Sequence, residues 1–133
     1  MKSTLLFLRV AILSIAISII LGAFGAHALK EFFSDYEIDI WNKGIFYQIT
    51  NSLGLILIIL LIKNNLIKES KLAMLLLCLG IVFFSGSLYT IALTNVFLSP
   101  NHWIKLITIP VTPLGGTLIV ASWIITFIKV NSK

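Results

Sequence analysis

Hydrophobic and polar positions alternate along this chain on the scale of whole helices rather than of single turns. Four runs nearly free of charge cover residues 4–24, 44–62, 72–94 and 104–128. An apolar run of about 18 or more residues, rising about 1.5 Å per residue, is long enough to cross the hydrocarbon of a bilayer. Within that hydrocarbon a segment must satisfy its own backbone, which a helix does alone. The pattern predicts an all-α integral membrane protein, a single transmembrane domain over 1–133, folded as an antiparallel four-helix bundle. The helices are expected near 4–24, 44–62, 72–94 and 112–129, crossing at roughly 20°.

Three local signals adjust the ends. Pro110 argues against an unbroken helix from Trp103, while Thr112 is a fair N-cap and Pro113 suits a first helical position. Residues 104–110 are therefore read as a re-entrant or interfacial segment. Leu29, Phe32 and Phe33 stand at i, i+3 and i+4, which predicts a short amphipathic segment at 28–34 lying flat on the outer surface. Glu37 or Asp39 favours the start of the second helix, because carboxylates complement a helix N-terminus.

Composition narrows the class. The chain is 59% hydrophobic and 11% charged, against about a quarter charged in soluble domains, and this excludes a soluble enzyme. A net charge of +5 would suggest nucleic acid in a soluble protein. Here the basic residues sit at the ends of the runs, so the expected partner is the lipid bilayer and no nucleic acid. Four spans return both termini to one side. Lys2, Arg9, Lys63, Lys68, Lys71, Lys129 and Lys133 then fall on one face, with Lys30, Lys43 and Lys105 on the other. Basic residues stay cytoplasmic, which predicts cytoplasmic N- and C-termini, with Arg9 snorkelling to the inner headgroups. Trp41 and Trp103 are expected at the outer headgroups. Lys2, Arg9, the run 10–21 and Ala26-His27-Ala28 imitate a cleaved leader. The run is long enough to span, however, and Phe24 and His27 ill suit a processing site. The single cysteine, Cys78, lies inside the third run and is expected as a small core residue, with no internal disulfide.

Lipid gives helices no hydrophobic reason to associate, so small residues and interhelical hydrogen bonds must do it. Ser14, Ser18, Gly22 and Ala26 recur every four residues and predict a close-packing stripe, joined by Gly86, Gly115 and Gly116. Helix 2 carries Trp41, Gly44, Tyr47, Gln48 and Asn51 near one face, and helix 3 carries Gly80, Ser87 and Thr94 at sevens beside Ser85 and Tyr89. Unpaired polar side chains are costly in hydrocarbon. Tyr47, Gln48, Asn51, Ser85, Ser87 and Tyr89 are therefore expected to face inward and bond one another, in the outer half of the bilayer.

Leu21-Gly22-Ala23-Phe24-Gly25-Ala26-His27, Trp41 with Tyr47-Gln48, Phe84-Ser85-Gly86-Ser87-Leu88-Tyr89 and Thr112-Pro113-Leu114-Gly115-Gly116 together resemble one family. It is the domain of unknown function 423 family of small four-helix membrane proteins, which includes transmembrane protein 256 of animals. The resemblance implies a multi-pass protein of the bacterial inner membrane. It supplies no activity, substrate or cofactor. It also implies a histidine where this chain has Asn51, which weakens any histidine-dependent role at that position. The segment 94–111 is longer than the resemblance implies.

The remaining chemistry is sparse. His27 and His102 stand far apart in sequence, in predicted loops, and a metal or haem site needs converging ligands. The serines have no positioned base. No run holds a carboxylate, which counts against an ordinary ion-coupled carrier. No catalytic, cofactor or metal residue is assigned. The preferred reading is a noncatalytic structural, assembly or partner-binding protein, its partner a membrane protein or a second copy. The alternatives are a small oligomeric transporter or channel using the polar cluster, and a histidine-dependent metal or redox protein.

Overall fold

Each apolar run forms a helix in the computed structural model, which describes residues 2–99 and 102–130. Pro100, and Lys133 among the basic residues used for sidedness, lie outside the described residues. The helices are α1 (Lys2–His27), α2 (Asp35–Lys63), α3 (Lys71–Phe97) and α4 (Trp103–Ile128). All four are long and apolar enough to cross a membrane. The fold is an all-helical bundle of four long apolar helices.

Local chemistry sets the ends. α2 starts well before its apolar run because Ser34 and Glu37 form a capping box. The Ser34 side chain accepts from the Tyr36 N–H (3.3 Å) and bonds the Glu37 carboxylate, which in turn accepts from the Ser34 N–H (3.2 Å). At the other end Asn65 takes the left-handed conformation with φ 58°, a position asparagine tolerates. Ser70 caps α3 by accepting from the Ala73 N–H at 3.3 Å.

The expected start of the fourth helix at 112 is corrected. α4 begins at Trp103, so 104–110 is the first part of that helix and not a separate re-entrant or interfacial segment, and Pro110 and Pro113 lie inside it. His102, not Thr112, is the N-cap, its Nδ1 accepting from the Ile104 N–H at 3.3 Å. Each proline lacks the N–H that would serve the carbonyl four residues earlier. In hydrocarbon, breaking the helix altogether would strand still more backbone groups, so membrane helices tolerate proline.

The segment 28–34 is also corrected. It is a turn, not a flat surface helix, closed by the Ala28 N–H to Phe24 carbonyl and Phe33 N–H to Leu29 carbonyl bonds, both 2.9 Å. Leu29 and Phe33 tuck back among Ile40, Trp41 and Ala92, while Phe32 stays exposed against Phe97 (5.7 Å between centroids). The apolar triplet thus plugs one end of the bundle. Trp41 belongs to this plug and does not face outward: it is buried, and its indole N–H donates to the Leu21 carbonyl at 3.0 Å. Trp103 is exposed.

α2 and α3 form the inner pair. α1 packs mainly on α2, α4 on α3, and α1 only brushes α3. The opposite end of the bundle is tied by a short bridge, with Ile67 paired to Val130 and the Lys68 N–H donating to the Lys129 carbonyl at 2.9 Å. The outward faces of α1 and α4 are apolar, with Ile19, Ile20, Leu106 and Phe127 largely exposed. Lipid is the solvent such faces require.

The small-residue stripe of α1 runs along a different line from the expected one. Ala11 and Ser18 are fully buried, and Gly25 makes the close approach: a Cβ there would lie 2.5 Å from Nε1 of Trp41. Ala26 is exposed. A four-residue step over-rotates a 3.6-residue helix by about 40°. Three such steps from Ser14 carry Ala26 off the interface, whereas the sevens Ala11, Ser18 and Gly25 stay on it.

Candidate functional site

With α4 beginning at Trp103, the polar and small groups of the four helices fall at one level. Ser14 sits near the middle of α1, Gln48 and Ser52 of α2, Ser85 and Ser87 of α3, and Thr112 and Gly115 of α4. The expected outer-half cluster is therefore a mid-helix band. The band spans the core level of the bundle because α4 gains a turn and more before Thr112.

Three helices meet there through hydrogen bonds. The Tyr89 hydroxyl donates to Oε1 of Gln48 at 2.8 Å. The Gln48 amide donates to the Ser14 carbonyl at 2.9 Å and lies 3.3 Å from the Ser14 Oγ. The Ser52 hydroxyl donates to the same Ser14 Oγ at 2.8 Å. Both ends of one buried amide are thus engaged, and α1, α2 and α3 are joined in a continuous chain. Gly44 makes room for it: a Cβ there would stand 2.6 Å from the Tyr89 ring. The same ring packs on Trp41, centroids 4.7 Å apart.

Of the six residues expected to bond one another, only Gln48 and Tyr89 do so between helices. Asn51 turns back on its own helix, donating to the Tyr47 carbonyl at 2.8 Å. Tyr47 is partly exposed and sets its ring edge-on to Phe84 (4.6 Å). Ser87 faces away, meeting Thr112 of α4 at 2.7 Å and donating to the Phe84 carbonyl at 2.8 Å. Ser85 is buried with no partner for its hydroxyl. The physical reason is the helical wheel: residues two apart, such as 85 and 87, point to different neighbours. Ser52 and Thr112 were missed as members. Ser52 stands one turn beyond Gln48, a four-residue spacing that signals the shared face.

The α3–α4 seam is built differently. A Cβ at Gly115 would lie 2.3 Å from the backbone nitrogen of Phe84, and one at Gly80 would lie 3.1 Å from the Gly115 carbonyl oxygen. The Ser122 hydroxyl donates across the seam to the Ala73 carbonyl at 2.7 Å. Gly116 has ordinary contacts at 3.4 Å, and Gly86 has nothing within 4 Å. Gly86 is therefore no packing glycine.

Because α1 touches α3 only lightly, a cleft of about 390 Å³ remains between them, floored by α2. Val10, Ile17 and Val82 are among its apolar walls; Ser14, Gln48, Ser85 and Tyr89 are among its polar lining, with Cys78 and Gly86 also on it. It opens sideways, through faces whose exposed residues are aliphatic. No lining residue carries a charge.

His27 ends α1, exposed, and His102 caps α4 with its ring stacked near Trp103. Neither reaches the cleft. Among the described residues no three His, Cys, Asp or Glu side chains gather where they could hold a metal ion.

A model of the family described as protein of unknown function (DUF423) matches residues 21–116. The chain is 38% identical to a UPF0382 membrane protein of Staphylococcus haemolyticus, the alignment covering 93% of each. It is 33% identical to the UPF0382 membrane protein YwdK of Bacillus subtilis, covering 89% of each. The identity to the UPF0382 inner membrane protein YgdD of Escherichia coli is also 33%, over 80% of this chain and 75% of that one. No solved structure matches the chain.

Proposed function

The chain belongs to the DUF423 family, and from that premise we propose that this multi-pass membrane protein is a noncatalytic binding protein, holding a partner within the bilayer. The observation that carries this reading is the lipid-open cleft above the bonded Ser14–Gln48–Ser52–Tyr89 chain. Those side chains spend their polar atoms on one another, which suits a rigid floor. Catalysis would need a nucleophile beside a base, and the cleft lining has serines and a cysteine but no histidine or carboxylate. A flux role has less support, because the polar chain runs across the helices and not along them. Purification in mild detergent tests the reading: a reproducible companion, protein or small molecule, is expected. A solitary, ligand-free monomer from several detergents would count decisively against it.

The same proposal includes an antiparallel arrangement in a bacterial inner membrane with both termini cytoplasmic. Three contacts support the antiparallel part: Leu21 meets Trp41, Ser14 meets Gln48 and Ser52, and Thr4 meets Glu69 at 3.4 Å, so partners rise in number as α1 falls. The lysines at 63, 68, 71 and 129 support the sidedness. Leu66→Cys in a Cys78→Ala background is expected to resist an impermeant thiol reagent in intact cells and to react after lysis.

A further inference from the structure

Hydroxyls in membrane helices nearly always find an acceptor, and here the buried ones do so with one exception. Ser18, Ser87, Thr94, Thr108 and Thr126 donate back to carbonyls three or four residues earlier, and Ser122 donates across to α3. Ser85 is 2% exposed, and its Oγ is the one buried side-chain polar atom without a partner among the described residues. Ser85 is among the residues that line the α1–α3 cleft. An unmet donor in such a medium costs about 1–3 kcal/mol, and it marks where an acceptor is missing.

The cleft limits what the acceptor can belong to. At about 390 Å³ it lies in the range of about 300–1,000 Å³ that holds one small molecule. Its walls are apolar and its lining has no charge, so an ionised group would be desolvated without compensation. Ser85 stands near the middle of α3, roughly 18–21 Å from either end at about 1.5 Å per residue. The hydrocarbon core is about 30 Å thick, so a phospholipid headgroup at its surface does not reach that level. The acceptor must travel inside the hydrocarbon on the body of the molecule.

We infer that the α1–α3 cleft binds one neutral, apolar molecule that carries a carbonyl oxygen, which accepts the Ser85 hydroxyl. This rests on the binding reading above and names its ligand class. Entry is sideways from the lipid, past the rim at Val82 and Gly86, where a Cβ on Gly86 would meet open space.

The test uses the full chain in lipid nanodiscs and a diazirine-bearing ten-carbon methyl ketone, with the matching diazirine alkane as control. Labelled positions are mapped by mass spectrometry. The ketone is expected to concentrate on stretches 10–21 and 78–89, at least fivefold over the alkane, and to be displaced by unlabelled 2-decanone. Ser85→Ala is expected to bring ketone and alkane within twofold of each other. Gly86→Phe, which crowds the rim, is expected to lower ketone labelling about tenfold. Ser85→Ala removes an unbonded atom and the Cβ of Gly86→Phe enters open space, so both should keep the wild-type helical circular dichroism. A melt of each confirms this before labelling. Even labelling over the lipid-facing helices, or a ketone preference that survives both variants, would overturn the proposal. So would the absence of ketone labelling together with Cys78–Cys78 crosslinking of two copies by a bifunctional maleimide. In that case the cleft takes a helix, and the binding reading stands while this ligand class falls. Absence of labelling, crosslinking and any co-purifying companion would remove both.

Discussion

The two sides of α3 hold their neighbours by different means. Toward α4 the backbones nearly touch: Gly115 leaves no room for a Cβ against Phe84, and Gly80 faces the Gly115 carbonyl. Toward α1 and α2 the packing is looser, and a chain of four side chains, Ser14, Gln48, Ser52 and Tyr89, links the helices. In lipid both routes work, because dispersion at close approach and interhelical hydrogen bonds are the available attractions. They differ in what they leave behind. The α3–α4 side keeps only a hollow of about 260 Å³, away from the Gly80–Gly115 contact, while the bonded side keeps the larger cleft of about 390 Å³.

Substitutions can break this contrast in a predicted order. The largest effect is expected for Gly115→Leu, whose Cβ meets backbone that cannot swing aside; the loss should reach about 3 kcal/mol, the upper range for overpacking, read as reversible unfolding in detergent. Gln48→Leu follows, at about 1–2 kcal/mol, because it strands the Tyr89 hydroxyl and frees Ser14. Ser122→Ala is expected to cost about 0.6 kcal/mol, a typical intramembrane bond. Gly86→Ala should change stability by less than about 0.5 kcal/mol, since its Cβ enters open space. A double-mutant cycle sharpens the comparison: Gln48→Leu with Tyr89→Phe should couple by about 0.5 kcal/mol or more, while Gln48→Leu with Ser122→Ala should add. Equal coupling in both pairs would show that the two sides are one network.

The four helices were legible because uninterrupted apolar runs leave the backbone no alternative in lipid. Their ends were less so. The Ser34–Glu37 capping box lies outside the apolar run, and a search led by hydropathy credits Glu37 with charge alone. Pro110 looks like a stop in water, where a freed carbonyl finds solvent, but α4 continues through it. Gln48 and Tyr89 were legible as polar groups needing partners. Their pairing with Ser14 and with each other joins residues 34 and 41 apart in sequence, and the sliding register of one helix on another is not written in either. The stripe of α1 shows the same limit: a repeat of four and a repeat of seven diverge by a third of a turn over the helix, and only the neighbour decides between them.

The Ile67–Val130 bridge has a practical corollary. It staples the loop after α2 to the segment after α4, so these two parts of the chain must share a compartment whichever way the protein is inserted. A reporter fused beyond residue 130 and a tag placed at 64–70 are therefore redundant readouts of the same membrane face, and discordance between them would mean the fusion itself had pried the staple open.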